Sequence, residues 1–84
     1  MLDIKIGDSE IELFSFPEPP KRTSYPEACG LRHLAFKVSE FDEVLKHLES
    51  HDIEFEPVKK NQKSGKRFTF FSDPDGLPLE ICEI

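Results

Sequence analysis

At 84 residues the chain is one small domain at most, a size at which folding buries only roughly 60–65% of the unfolded chain's surface, so a missing partner or cofactor is felt. A hydrophobic share of 37% with eight phenylalanines argues against disorder, and a net charge of −6 argues against an electrostatic grip on nucleic acid or an anionic membrane. No apolar run reaches the length of a membrane span.

Residues 1–16 hold two alternating runs, Leu2–Ile6 and Glu10–Phe16, separated by Gly7-Asp8-Ser9. Alternation interrupted by a turn signal predicts a β-hairpin. Residues 17–30 contain four of the seven prolines. Proline removes amide donors and fixes φ, so this stretch reads as a linker or extended crossover.

From Leu31 the pattern changes. "LRHLAFKV" alternates as a strand. Ser39 is placed as a helix N-cap, with Asp42 three residues on in the manner of a capping box. Phe41, Val44, Leu45 and Leu48 then mark one apolar face of a helix that closes at His51-Asp52. "IEFEPV" predicts a second strand, "KKNQKSGK" a polar loop, "RFTFFS" a third strand, "DPDG" a turn and "LPLEICEI" a fourth strand. Residues 31–84 therefore read β-α-β-β-β, an α+β module, whereas residues 1–16 supply two strands only.

Three residues stand out chemically. His33 lies in the first strand of the module, sharing a face with Leu31, Ala35 and Lys37. Glu80 lies inside the last strand between Leu79 and Ile81, and Glu12 sits similarly inside "EIELFSF". A carboxylate among large apolar neighbours is uncomfortable unless it is exposed, paired or bound to a cation. Two readings stay open on residues alone. One imidazole and two carboxylates suit zinc, nickel, manganese or iron; equally, His33 is a satisfied core histidine and both glutamates face solvent. His47 and His51 stand four apart on the helix, a spacing that can bind a metal, but their polar surroundings read as a solvated face. The lysines of "KKNQKSGKR" read as a solvated loop, and Cys82, which shares the strand parity of Glu80, reads as a small apolar filler. Dinucleotide-binding, phosphate-loop and serine-hydrolase motifs are absent from the sequence. The two cysteines, Cys29 and Cys82, make no disulfide framework, and "MLDIKIGDSE" has no signal-peptide pattern, so a cytoplasmic location with reduced thiols is expected.

Taken together, "IELFSF", the proline-rich linker, "ACGLRHLAFKV", the amphipathic helix and "KRFTFFSDPDGLPLEICE" resemble the vicinal oxygen chelate superfamily of glyoxalase I, bleomycin resistance proteins and dioxygenases. The similarity is closest to the small bacterial glyoxalase-like proteins of unassigned activity, and it covers essentially the whole chain. In that family two βαβββ modules pair, and their sheets curl into a cup around a divalent metal. In the glyoxalase I type each module gives a histidine from its first strand and a glutamate from its last. The resemblance therefore implies Glu12 as the closing glutamate of a first module, and His33 and Glu80 as the opening histidine and closing glutamate of the second, with zinc or nickel as the ion. The first module's opening strand, helix and histidine have no counterpart here. The expectation is a truncated first module, represented by the hairpin of residues 1–16, followed by the linker of residues 17–30 and a complete module over residues 31–84.

The implied chemistry is that of a glyoxalase I-like lyase or isomerase (lactoylglutathione lyase type) acting on a small α-oxo compound or its thiol adduct. The metal polarises a carbonyl, an enediolate forms, and Glu80, with Glu12 opposite, moves the proton. The alternatives are a cup that sequesters a small molecule without turnover, as in bleomycin resistance, and a chain inactive because its site is incomplete. Arg32, adjacent to His33, is expected on the opposite strand face and outside the site. An unpartnered hairpin exposes sheet edges and apolar surface, which predicts a homodimer with the hairpin packed on the partner chain.

Overall fold

Alternation at the N-terminus folds as expected, into strands β1 (Leu2–Ile6) and β2 (Ser9–Leu13), paired antiparallel from Leu2 opposite Leu13 to Ile6 opposite Ser9. The computed structural model describes residues 1–23, 26 and 29–84, so Ser24, Tyr25, Glu27 and Ala28 of the predicted linker lie outside the described residues. Gly7, in the tight connection between the strands, takes a φ of 57°, a region that side-chain-bearing residues avoid. This register puts Leu2, Ile4, Ile6, Ile11 and Leu13 on one face and Asp3, Lys5, Glu10 and Glu12 on the other. β2 stops at Leu13, short of the predicted Phe16, and Phe14 and Phe16 stack on each other with ring centroids 6.3 Å apart.

Residues 34–83 form β3 (Leu34–Val38), α1 (Phe41–Ser50), β4 (Lys59–Lys60), β5 (Arg67–Ser72) and β6 (Pro78–Glu83). The second sheet has the order β3-β6-β5-β4, with β3 parallel to β6 and the other pairs antiparallel. One face carries Leu34, Phe36 and Val38, then Leu79 and Ile81, then Thr69 and Phe71. That face meets α1, and the buried set is Phe41, Leu48, Ile81 and Thr69. Thr69 is nearly inaccessible at 1% exposure, and its hydroxyl donates to the Glu56 carbonyl at 2.7 Å, which satisfies a polar group inside the core.

Arg67 ties the helix start to the sheet. Its guanidinium donates to Asp42 at 2.9 Å and to Glu83 at 3.0 Å, and lies 4.7 Å over the Phe41 ring, while its backbone amide donates to Glu83 at 2.6 Å. These bonds hold the Glu83 carboxyl below its ordinary range and the guanidinium above its own.

Three expectations are corrected. The helix begins at Phe41 behind Glu40, and no side chain caps it, so the Ser39–Asp42 capping box is not formed. The predicted strand over residues 53–58 is not a ladder. Pro57 has no amide to donate and the Glu56 carbonyl is taken by Thr69, so regular pairing with β5 starts only at Lys59. Finally, β3 starts at Leu34, leaving Leu31, Arg32 and His33 ahead of it.

The helix end and the last turn follow local chemistry. Asp52 takes a φ of 56°, the Ile53 amide donates to the Leu48 carbonyl at 2.9 Å, and the Asp52 amide to Glu49 at 3.0 Å. This is a Schellman closure with aspartate in the left-handed position glycine usually fills. In "DPDG", the Asp73 carboxylate accepts the amides of Asp75 and Leu77 at 2.9 and 2.8 Å, which fixes the β5–β6 connection.

Among the described residues, none of the substantial contacts between elements joins the hairpin to the second sheet or to α1. The chain exposes 7259 Å², against about 5,100 Å² for a self-contained domain of this mass. Its radius of gyration is 14.3 Å, against about 12 Å for a single packed body of this length.

Candidate functional site

The sheet face opposite α1 carries the site. Cross-strand register sets Ala35 of β3, Glu80 of β6 and Phe70 of β5 in one row, and Lys37, Cys82 and Phe68 in the next. His33 precedes β3 with the parity of Ala35, and its Nε2 stands 3.2 Å from Oε1 of Glu80. The imidazole meets the Phe70 ring edge to face at 5.3 Å, and Phe70 meets Phe68 likewise at 6.2 Å. Two of the three expected residues, His33 and Glu80, are therefore brought together beside an aromatic wall. Their side chains are 40% and 20% exposed, open enough to admit a ligand.

Glu12 is not brought to them. It lies exposed on the hairpin, directly opposite Asp3 across the β1–β2 ladder. Cys82 donates weakly to the Phe36 carbonyl with the sulfur 3.7 Å away. Burial, helped by the nearby Glu80 charge, pushes its thiol up.

Beside His33 runs an open groove of about 1070 Å³, lined by Arg22, Arg32, Glu54, Glu56 and Phe70 among others. Arg32, expected on the opposite strand face and outside the site, lines the same groove as His33. Arg22 went unnoticed in the sequence. Its guanidinium donates to the carbonyls of Leu31 and Arg32 at 2.7 and 2.9 Å, holding the segment that presents His33. An arginine within a proline-rich linker carries no periodicity that would single it out.

The sequence profile of the Glyoxalase/Bleomycin resistance protein/Dioxygenase superfamily matches residues 1–81. The chain belongs to this superfamily. The chain is 60% identical over 77 residues to the uncharacterized protein YaeR of Escherichia coli (strain K12), covering 92% of this chain and 60% of that one. The crystal structure of a glyoxalase family protein from Enterococcus faecalis superposes with a TM-score of 0.87 at 53% identity, covering 96% of this chain and 64% of that one. Lactoylglutathione lyase from Agrobacterium tumefaciens superposes with a TM-score of 0.57 at 27% identity, covering 68% and 44%. The chain thus spans about three fifths of the length of YaeR. Within it, no helix is long and apolar enough to cross a membrane among the described residues.

Divalent metal ions of the kind implied for a glyoxalase take imidazole nitrogen and carboxylate oxygen. The His33–Glu80 pair offers one of each and fits two ligand positions. Among the described residues, no group of three or more His, Cys, Asp or Glu side chains is placed to hold an ion, so two members of the Glu12–His33–Glu80 set are together and the third is apart.

Proposed function

We propose that this chain carries the second-module half of a glyoxalase I-like site, which in the intact protein is a metal-dependent lyase or isomerase acting on a small α-oxo compound or its thiol adduct. One observation carries the reading: an imidazole and a carboxylate 3.2 Å apart on the open sheet face, at the two positions the family resemblance assigns to ligands. Similarity to a lactoylglutathione lyase supports the reaction class. A bound zinc or nickel ion, held by His33 and Glu80 with Glu12 completing the set, would polarise a substrate carbonyl.

The chain's own residues do the rest. Glu80 accepts a proton from a carbon next to the carbonyl and returns it to the neighbouring carbon, with His33 orienting the carboxylate. Phe70 walls the site against water on one side. Arg22 holds the backbone of Leu31 and Arg32, and so fixes the approach of His33. The hairpin's uncovered apolar face favours a homodimer, and Glu12, on the opposite face of the hairpin, stays uncovered by that contact to supply the third ligand. The free thiols of Cys29 and Cys82 support a cytoplasmic setting.

A second reading rests on the groove. A volume of about 1070 Å³ beside His33 accommodates a drug-sized molecule, which suits sequestration without turnover. Metal content after purification, then nickel titration of wild type against His33→Ala, tests the first reading. The variant is expected to lose binding at the His33–Glu80 site by more than about tenfold, and equal binding by both defeats the metal-site reading for this chain. An assay of the metal-loaded protein with the hemithioacetal of methylglyoxal then separates the two. Product marks the lyase, and ligand binding without product marks the sequestering module.

A further inference from the structure

The end of α1 and the residue that caps it hold a pair of imidazoles, His47 and His51, apart from the His33–Glu80 pair. His47 and His51 are both exposed, and their ring centroids lie 4.4 Å apart with a tilt of 44° between planes. Two imidazoles bound side by side to one ion, with metal–nitrogen bonds of about 2.0–2.1 Å, place their centroids about 4.5–5 Å apart. The rings already stand close to that separation. Residues four apart on a helix face the same side, so little rearrangement separates the free pair from the chelate.

The hydrogen bonds around His51 point the same way. Its Nδ1 lies 2.9 Å from the His47 carbonyl oxygen. A carbonyl only accepts, so Nδ1 carries the proton and the lone pair of the neutral ring sits on Nε2. The Ser50 hydroxyl donates to the same carbonyl at 2.7 Å and approaches Nδ1 at 3.1 Å, which braces the ring from a second side. A histidine whose far nitrogen donates to a backbone carbonyl is the usual form of a metal-ligating imidazole. The negative end of the helix dipole adds attraction for a cation at this end. On the same helix, Glu43 lies one turn before His47 and pairs with Lys46 at 3.9 Å.

We propose that His47 and His51 form a two-imidazole surface chelate for a late first-row divalent ion, copper or nickel ahead of zinc, separate from the His33–Glu80 pair. Water completes the coordination. Imidazole donors and the general stability order of these ions set the preference. Binding cross-links the last turn of α1, so the ion stabilises the folded chain. This site does not depend on the glyoxalase reading, because it shares no residue with it.

The test is titration of the whole chain with nickel chloride, followed by calorimetry and by the thermal midpoint, in wild type, in His33→Ala, and in His33→Ala with His47→Gln or His51→Gln added. Both glutamine variants change exposed positions, and their metal-free circular dichroism establishes that they fold. The inference expects His33→Ala to keep one nickel equivalent and the metal-induced rise in midpoint. Added to the His33→Ala background, His47→Gln and His51→Gln should each weaken that binding more than about tenfold and lose the rise. It is overturned if either glutamine variant keeps the binding and midpoint shift of His33→Ala, or if His33→Ala shows no nickel binding. Loss of binding in His33→Ala alone, with wild type retaining one equivalent, assigns the metal to the other site and equally defeats this one.

Discussion

The hairpin of residues 2–13 and the βαβββ unit of residues 34–83 obey the same periodicity and meet opposite fates. In both, apolar residues occupy alternate strand positions on one face. In the larger unit that face is covered by α1, and Ile81 is 6% exposed; in the hairpin it faces outward, and Leu13 is 51% exposed. Alternation therefore fixes which side chains share a face, whereas burial depends on whether another element arrives to cover it.

Phe41→Ala and Leu13→Asp probe that contrast most strongly. Phe41→Ala removes a ring packed beneath Arg67 and is expected to cost about 3–5 kcal/mol, enough to unfold much of the unit, by urea denaturation. Leu13→Asp should leave the unit's stability unchanged and abolish self-association in sedimentation velocity. Equal self-association in the variant would show that the hairpin face is not the contact.

A smaller effect separates the two regions by pH. Glu83 is held below its ordinary range by Arg67, so its contribution is fully present above the ordinary carboxylate pKa and is lost as pH falls through the lowered, folded value. Glu83→Gln should therefore lower the melting midpoint near pH 7, and wild type and variant should converge as the pH drops below that folded value. A difference that stays constant with pH would mean that charge is not what Glu83 supplies.

The smallest expected effect lies at the helix end. Asp52→Gly relieves the left-handed backbone at Asp52 and should raise stability by up to about 1 kcal/mol, seen as a later unfolding midpoint in urea. A lower midpoint would mean that the aspartate side chain contributes more than its backbone strain costs.

Much of the larger unit was legible in the sequence because its signals are local. The Phe41–Leu48 spacing named the helix face, "RFTFFS" named β5 to the residue, and "DPDG" named a turn whose aspartate does close it. Local signals failed where a distant group competed. Thr69, thirteen residues on, takes the Glu56 carbonyl and ends the expected strand, and Arg22 sets the segment before β3 so that Arg32 joins the groove. His33 and Glu80 meet because parallel β3–β6 register aligns Ala35 with Glu80. Glu12 could be given a parity, but strand parity carries no information on the placement of one sheet relative to another.

Parallel pairing of β3 with β6 also sets an order in time. Leu34 finds its partner only when Leu79 exists, and Ile81, buried in the core, belongs to a strand made after both β3 and α1. During synthesis the helix can form early, but β3 and α1 wait with their apolar sides unmatched until β6 emerges. At about 5–20 residues per second, that wait lasts seconds. Chaperone dependence of the newborn chain would therefore fall on the stretch between Phe41 and Leu77, while the hairpin, whose two strands are neighbours in sequence, closes almost as soon as it is exposed.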